Sequence, residues 1–157
     1  VIVEVTLTPK EIYQGATAGI VRQTQNIKDG RQNSRGLPPT KDWQVHIEGA
    51  LSECAFAKYM SFYWPGAGEI GEVDFPDRGW EVKWTPLPTG SLWVQKEDDE
   101  LTKSVLLTGS NGIYQIRGWI CAGDAKLEKW WRSDIRHPCY GVPQASLNSA
   151  LSLKEMR

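Results

Sequence analysis

The chain has 157 residues, 40% of them hydrophobic and 24% charged, with a formal net charge of −1. Those values suit one ordinary globular domain with a single core, and they give no global field that would draw in nucleic acid, so any such binding must rest on local patches. No apolar run approaches ~20 residues, which excludes a transmembrane helix and, with it, a membrane partner.

The first residues, Val1 to Thr6, lack the basic-then-apolar pattern of a signal peptide. They also lack an initiator methionine, which reads as a trimmed chain or a fragment. Cys54, Cys121 and Cys139 are odd in number and contain no C-x-x-C pair. That argues against a structural zinc site and points to a reducing, cytoplasmic setting.

Val1 to Thr8 is β-rich and reads as a short edge strand or arm. Pro9 opens a helix with Thr8 as its N-cap, and Ile12, Ala16, Ile20 and Ile27 predict an apolar stripe ending near Lys28. The span from Asp29 to Thr40 carries Gly, Asn, Ser and two prolines, which predicts a loop. Arg22, Lys28, Arg31, Arg35 and Lys41 gather in this part of the chain. A solvated surface is the default reading of such a cluster, and phosphate contact is the functional one.

A second helix is expected from about Trp43 to Phe62, capped by Asp42 or Thr40. Val45, Ala50, Cys54, Ala57 and Met60 follow helical spacing and should pack on a sheet. Glu48 and Glu53 stand about 140° apart around it, so they belong to different faces. Both would ordinarily be exposed, Glu48 more so. Glu53 lies in the small, apolar run Gly49 to Ala57, and a carboxylate in that setting is either at the rim of a packed face or there for chemistry.

Glu72 to Thr85 alternates polar and apolar residues on either side of Pro76-Asp77-Arg78-Gly79, the pattern of a β-hairpin. Phe75 would pair with Trp80, which sets Asp74 opposite Glu81, with Lys83 on the same face. Facing carboxylates repel, and a divalent cation between them converts the repulsion into binding. The plain alternative is a solvent-facing strand in which Glu72 pairs with Lys83. Trp80 and Trp84 alternate with Glu81 and Lys83 and should be buried. Most of the eight tryptophans read as core, with base stacking open to one or two near the site.

Ser91 to Gln95 is expected as a further strand, followed by a charged turn from Lys96 to Glu100. Ser104–Thr108 and Ile113–Ile120 flank Asn111-Gly112, a second hairpin. A short helix should follow Gly123 and run through Arg132, and Gln144 to Leu153 should form a last one. The order predicts an α/β (α+β) fold with one mixed central sheet flanked by helices.

An Asp followed by Glu-x-Lys on the next strand, with a helical Glu upstream, resembles the PD-(D/E)xK nuclease superfamily. Glu53, Asp74 and Glu81-Val82-Lys83 carry the resemblance, which spans about residues 43–131 within a single 1–157 domain. Residues 9–28 form a helical extension outside it. Val73 stands where the motif has proline, and Asp77, after Pro76, is a rival acid placed in the turn. The resemblance implies a restriction-endonuclease-like core and a Mg²⁺- or Mn²⁺-dependent deoxyribonuclease, an endonuclease of the small phage type.

In that reading Asp74, Glu81, the Val82 carbonyl and Glu53 bind the metal, which polarises the scissile phosphate and activates water. Lys83 orients that water or stabilises charge on the phosphate. Arg22, Arg31, Arg35, Lys41, Gln95 and Lys96 are the candidates for contacting DNA, and a homodimer would join two basic loops. The competing class is a non-catalytic domain that binds nucleic acid or protein on the same fold. His46 and His137 are the only histidines, and no nucleophile motif or phosphate-binding glycine loop is present, so other hydrolase and nucleotide chemistries are disfavoured.

Overall fold

Residues 1–31, 38–66 and 73–157 are described in the computed structural model. The chain starts with strand β1 (Val3–Thr6) and helix α1 (Pro9–Lys28), which opens on the expected Thr8 cap: the Thr8 hydroxyl and the Glu11 carboxylate satisfy each other's backbone N–H groups. Helix α2 (Asp42–Met60) follows, and it ends where Ser61 turns left-handed at φ 58°. Neither Asp42 nor Thr40 caps its start; Lys41 holds that position without a side-chain bond.

α1 does not lie on an isoleucine stripe. Gly15, Gly19 and Gln23 are its buried residues, while Ile20 and Ile27 are exposed. The reason is close approach. A Cβ on Gly19 would stand 2.5 Å from the Ile47 Cα, and one on Gly15 would stand 2.7 Å from Leu51 Cδ2. At Gly19, where the neighbours are backbone atoms, only hydrogen lets α1 sit directly against α2.

Four strands form the main sheet in the order β1-β5-β4-β2, with β2 (Trp80–Thr85), β4 (Lys103–Ser110) and β5 (Ile113–Cys121). β2 runs parallel to β4 and the other pairs are antiparallel, so the sheet is mixed. The predicted hairpin joins β4 to β5, and Asn111 and Gly112 both take positive φ, 53° and 87°, as its tight turn requires. The fold is thus a mixed α+β one.

Two expectations about strands are corrected. A second, three-stranded sheet exists in the order β3-β7-β6, with β3 (Leu92–Val94), β6 (Trp131–Arg132) and β7 (Cys139–Val142). β3 therefore does not extend the main sheet. The predicted helix through Arg132 is only the single turn α3 (Ala122–Ala125) and a 3₁₀ turn at Glu128–Trp130, because the backbone of Trp131 and Arg132 is used to pair with β7. The last segment is likewise two 3₁₀ turns, Gln144–Ser146 and Ala150–Met156.

The main sheet separates two apolar layers. On one face Leu51, Phe56 and Met60 of α2 pack on Trp80, Val105 and Ile116. On the other, Leu106 and Ile120 meet Leu92, Val94 and Val142 of the small sheet. Trp80 and Trp84 are buried as expected, leaving Glu81 and Lys83 to the other face of an edge strand. Among the described residues, no helix is long and apolar enough to cross a membrane.

Candidate functional site

The candidate residues lie on the edge strand β2, in the bend before it and on α2. Phe75 and Trp80 do pair, exchanging hydrogen bonds of 3.0 and 3.3 Å across the 3₁₀ turn Pro76–Arg78. The hairpin ends there. Asp74 lies in a bend rather than in a strand, so it does not stand in ladder register opposite Glu81. Its side chain replaces the missing strand instead, with Oδ2 accepting the Val82 N–H at 2.7 Å. The Val82 carbonyl shares that outer edge, because a strand residue directs its N–H and C=O to the same side.

Asp74 is half-buried, and its carboxyl is held well above the ordinary value. Burial is the largest cause, and the negative charges of Glu53 and Glu81 add to it; the Val82 N–H and Arg22 oppose it. The helix carboxylate, the bend carboxylate and the strand carboxylate therefore share one electrostatic neighbourhood. The expected strand pairing of Asp74 with Glu81 is replaced by this bend, and among the described residues no three acidic, His or Cys side chains form a group that could hold a metal.

Each of the other two carboxylates has its own cation. Arg22 of α1 donates to both oxygens of Glu53, at 2.6 and 2.7 Å, and also to the Gly66 carbonyl at 3.2 Å. The Trp64 indole N–H adds a third donor to Glu53 at 3.2 Å. Burial works against the Arg22 charge, and Glu53 more than offsets it, so the guanidinium is held more firmly protonated than usual. On β2, Lys83 Nζ is paired with Glu81 Oε1. Beneath them, Ser104 is the cross-strand partner of Glu81, and its buried hydroxyl has no hydrogen-bond partner among the described residues.

The remaining predicted residues are scattered. Arg22 is not part of a phosphate-facing surface, because it is turned inward to Glu53. Arg31 pairs with Asp29 at 3.2 Å, Lys41 is exposed, and Arg35 and Glu72 lie outside the described residues. Gln95 and Lys96 are exposed past the end of β3, in the small sheet. Asp77 is exposed in the 3₁₀ turn, which leaves Asp74 as the acid beside β2.

Glu48 departs furthest from expectation. It is buried, not exposed, and accepts the Asn111 N–H at 3.1 Å and the Tyr114 hydroxyl, tying α2 to the β4–β5 turn. Sequence reasoning also missed the Arg22–Glu53 pair. Its one available signal was the Gly15/Gly19 spacing, four residues apart, which marks the helix face of closest approach.

Compared with known proteins, the chain matches no family model, no curated sequence and no solved structure.

Proposed function

We propose that the chain is a metal-dependent nuclease that hydrolyses DNA phosphodiester bonds, with a restriction-endonuclease-like core built around Glu53, Asp74, Glu81 and Lys83. The observation that carries this reading is the Asp74 carboxylate set against the outer edge of β2, where it accepts the Val82 N–H at 2.7 Å and where burial first, then the charges of Glu53 and Glu81, hold its carboxyl well above the ordinary value.

The donors are all hard oxygens, the set that suits Mg²⁺ or Mn²⁺. Asp74, Glu81 and the Val82 carbonyl would hold such an ion, which would polarise a phosphate and lower the pKa of bound water. Arg22 holds the Glu53 carboxylate in place through two hydrogen bonds. Lys83 extends from the face that bears Glu81, and once released from it can donate to a phosphate oxygen as charge builds there. Ser104 lies within cross-strand reach of Glu81 and can take over that carboxylate when Lys83 leaves it.

One observation favours the second reading, a binding domain without catalysis. Glu53 and Glu81 are each neutralised by a neighbouring cation, and among the described residues no three acidic, His or Cys side chains form a group that could hold a metal. The deciding experiment is cleavage of supercoiled, linear and branched DNA with Mg²⁺, Mn²⁺ or EDTA, comparing wild type with Asp74→Ala and Lys83→Ala. Metal-dependent cutting lost in both variants supports the nuclease. A folded wild type that shifts DNA on a gel without cutting it supports the binding domain.

A further inference from the structure

Two side chains are placed to hold Glu81, and the resting structure uses one of them. β2 is an edge strand, so Glu81 has a single cross-strand neighbour, Ser104 of β4. Neighbouring strands lie about 4.8 Å apart, which brings a serine hydroxyl within reach of a facing glutamate. Glu81 turns along its own strand instead. Its Oε1 accepts a hydrogen bond from Lys83 Nζ, and Oε2 has no partner among the described residues. Lys83 has buried Leu106 opposite it, so its charge turns back to the acid two residues earlier.

Ser104 is the group left over. It is 1% exposed, and its hydroxyl has no hydrogen-bond partner among the described residues. Its neighbour on the other side is Ile120, an apolar side chain that offers neither donor nor acceptor. Leaving a hydroxyl buried and unpaired is destabilising, and such groups are rare enough in folded proteins that each calls for a cause. The Glu81 carboxylate supplies that cause. It is the polar side chain in register with Ser104, and it has two discrete arrangements, along the strand on Lys83 or across it on Ser104.

We propose that the Glu81–Lys83 pair is a latch that a phosphate group opens. The inference rests on the nuclease reading of the same residues and gives that site its order of events. Closed, Lys83 competes with a metal ion for Glu81, while Arg22 and Trp64 occupy both oxygens of Glu53. A phosphodiester anion gives Lys83 Nζ a new acceptor. Glu81 then swings to Ser104, whose hydroxyl holds one carboxylate oxygen and leaves the other for a cation. Ser104 is thus a positioning residue that acts through Glu81. Phosphate and metal both favour the open arrangement, so each tightens the binding of the other by the same factor.

The test is Mn²⁺ binding to the whole chain, measured by isothermal titration calorimetry in diethyl phosphate and in chloride of equal ionic strength. Wild type should bind Mn²⁺ about fivefold more tightly, or better, in the phosphodiester. Lys83→Met should bind equally in both media, Ser104→Ala should lose most of the gain, and Ser104→Thr, which keeps the hydroxyl, should retain it. Without metal, Ser104→Ala should raise the midpoint of urea unfolding, because it removes the unpaired hydroxyl. No gain in wild type, an equal gain in Lys83→Met, or a lower urea midpoint in Ser104→Ala overturns the latch, even if wild type cuts DNA. A gain in a wild type that cuts no DNA keeps the latch and overturns the nuclease reading. Absence of Mn²⁺ binding in both wild type and Lys83→Met overturns the two together.

Discussion

Arg22 grips both carboxylate oxygens of Glu53 across the α1–α2 contact, with the Glu53 side chain only 8% exposed. Removing one member leaves the other charge in a poorly solvated place. Arg22→Ala should therefore cost about 3–5 kcal/mol, whereas the double change Arg22→Met/Glu53→Leu should come far closer to wild type. Urea unfolding of the two single variants and the double variant measures both, and equal losses in all three would show that the pair contributes through packing alone.

Asp74 makes the protein's stability depend on pH in an unusual direction. Its folded-state carboxyl lies above the ordinary 3.8, so across that interval the folded chain binds more protons than the unfolded one. Stability from this group is present below 3.8 and is lost as pH rises through the folded value. Asp74→Asn keeps an acceptor for the Val82 N–H and removes the charge. The variant should match wild type in acid and become the more stable of the two as pH rises above about 4. Added Mg²⁺ should raise the melting temperature of wild type and not of Asp74→Asn. Parallel pH series of denaturant unfolding would reveal a gap of the wrong sign if Asp74 were in fact stabilised as an anion.

What was readable in the sequence follows from the range of the forces involved. The Thr8 cap, the Asn111-Gly112 turn and the alternation of Trp80 to Thr85 act within a few residues, and each appears as expected. Misreadings occur where a distant partner decides. Ile20 and Ile27 have the spacing of a core stripe, yet the close approach at Gly15 and Gly19 turns a different face inward. Glu48 has the look of a surface residue until Tyr114, 66 positions later, supplies a donor. Arg22 belongs to no motif, and its pairing with Glu53 could be found only in three dimensions.

The Glu48–Tyr114 contact gives a third test. Burial and the Glu48 carboxylate both push the Tyr114 phenol above its ordinary value, so it remains a donor throughout the neutral range. Tyr114→Phe keeps the ring and deletes the donor, leaving buried Glu48 with the Asn111 N–H as its partner among the described residues. The loss should be about 1.5–3 kcal/mol, as for a hydrogen bond to a charged group. Amide exchange at Asn111 should quicken as well, since the turn loses part of its anchor. An unchanged denaturation midpoint in Tyr114→Phe would mean that the contact is not formed in solution.

Two glycines in the paired helices should respond to the same substitution with opposite signs. Gly49 lies within α2 with nothing inside 4 Å of where a Cβ would be, so Gly49→Ala gains helix propensity without a clash. It should stabilise the chain by about 0.8–1 kcal/mol. Gly19→Ala gains the same propensity but drives its methyl to 2.5 Å from the Ile47 Cα and 2.6 Å from the His46 carbonyl oxygen. These are backbone atoms, which cannot rotate aside, so α1 must move off α2. Overpacking of that kind costs about 1–3 kcal/mol, enough to cancel or outweigh the propensity gain. The displacement also draws Arg22 away from Glu53, one turn farther along α1. Gly19→Ala should therefore lower the midpoint of urea unfolding while Gly49→Ala raises it, and a Gly19→Ala variant as stable as Gly49→Ala would show that the helices do not pack this closely.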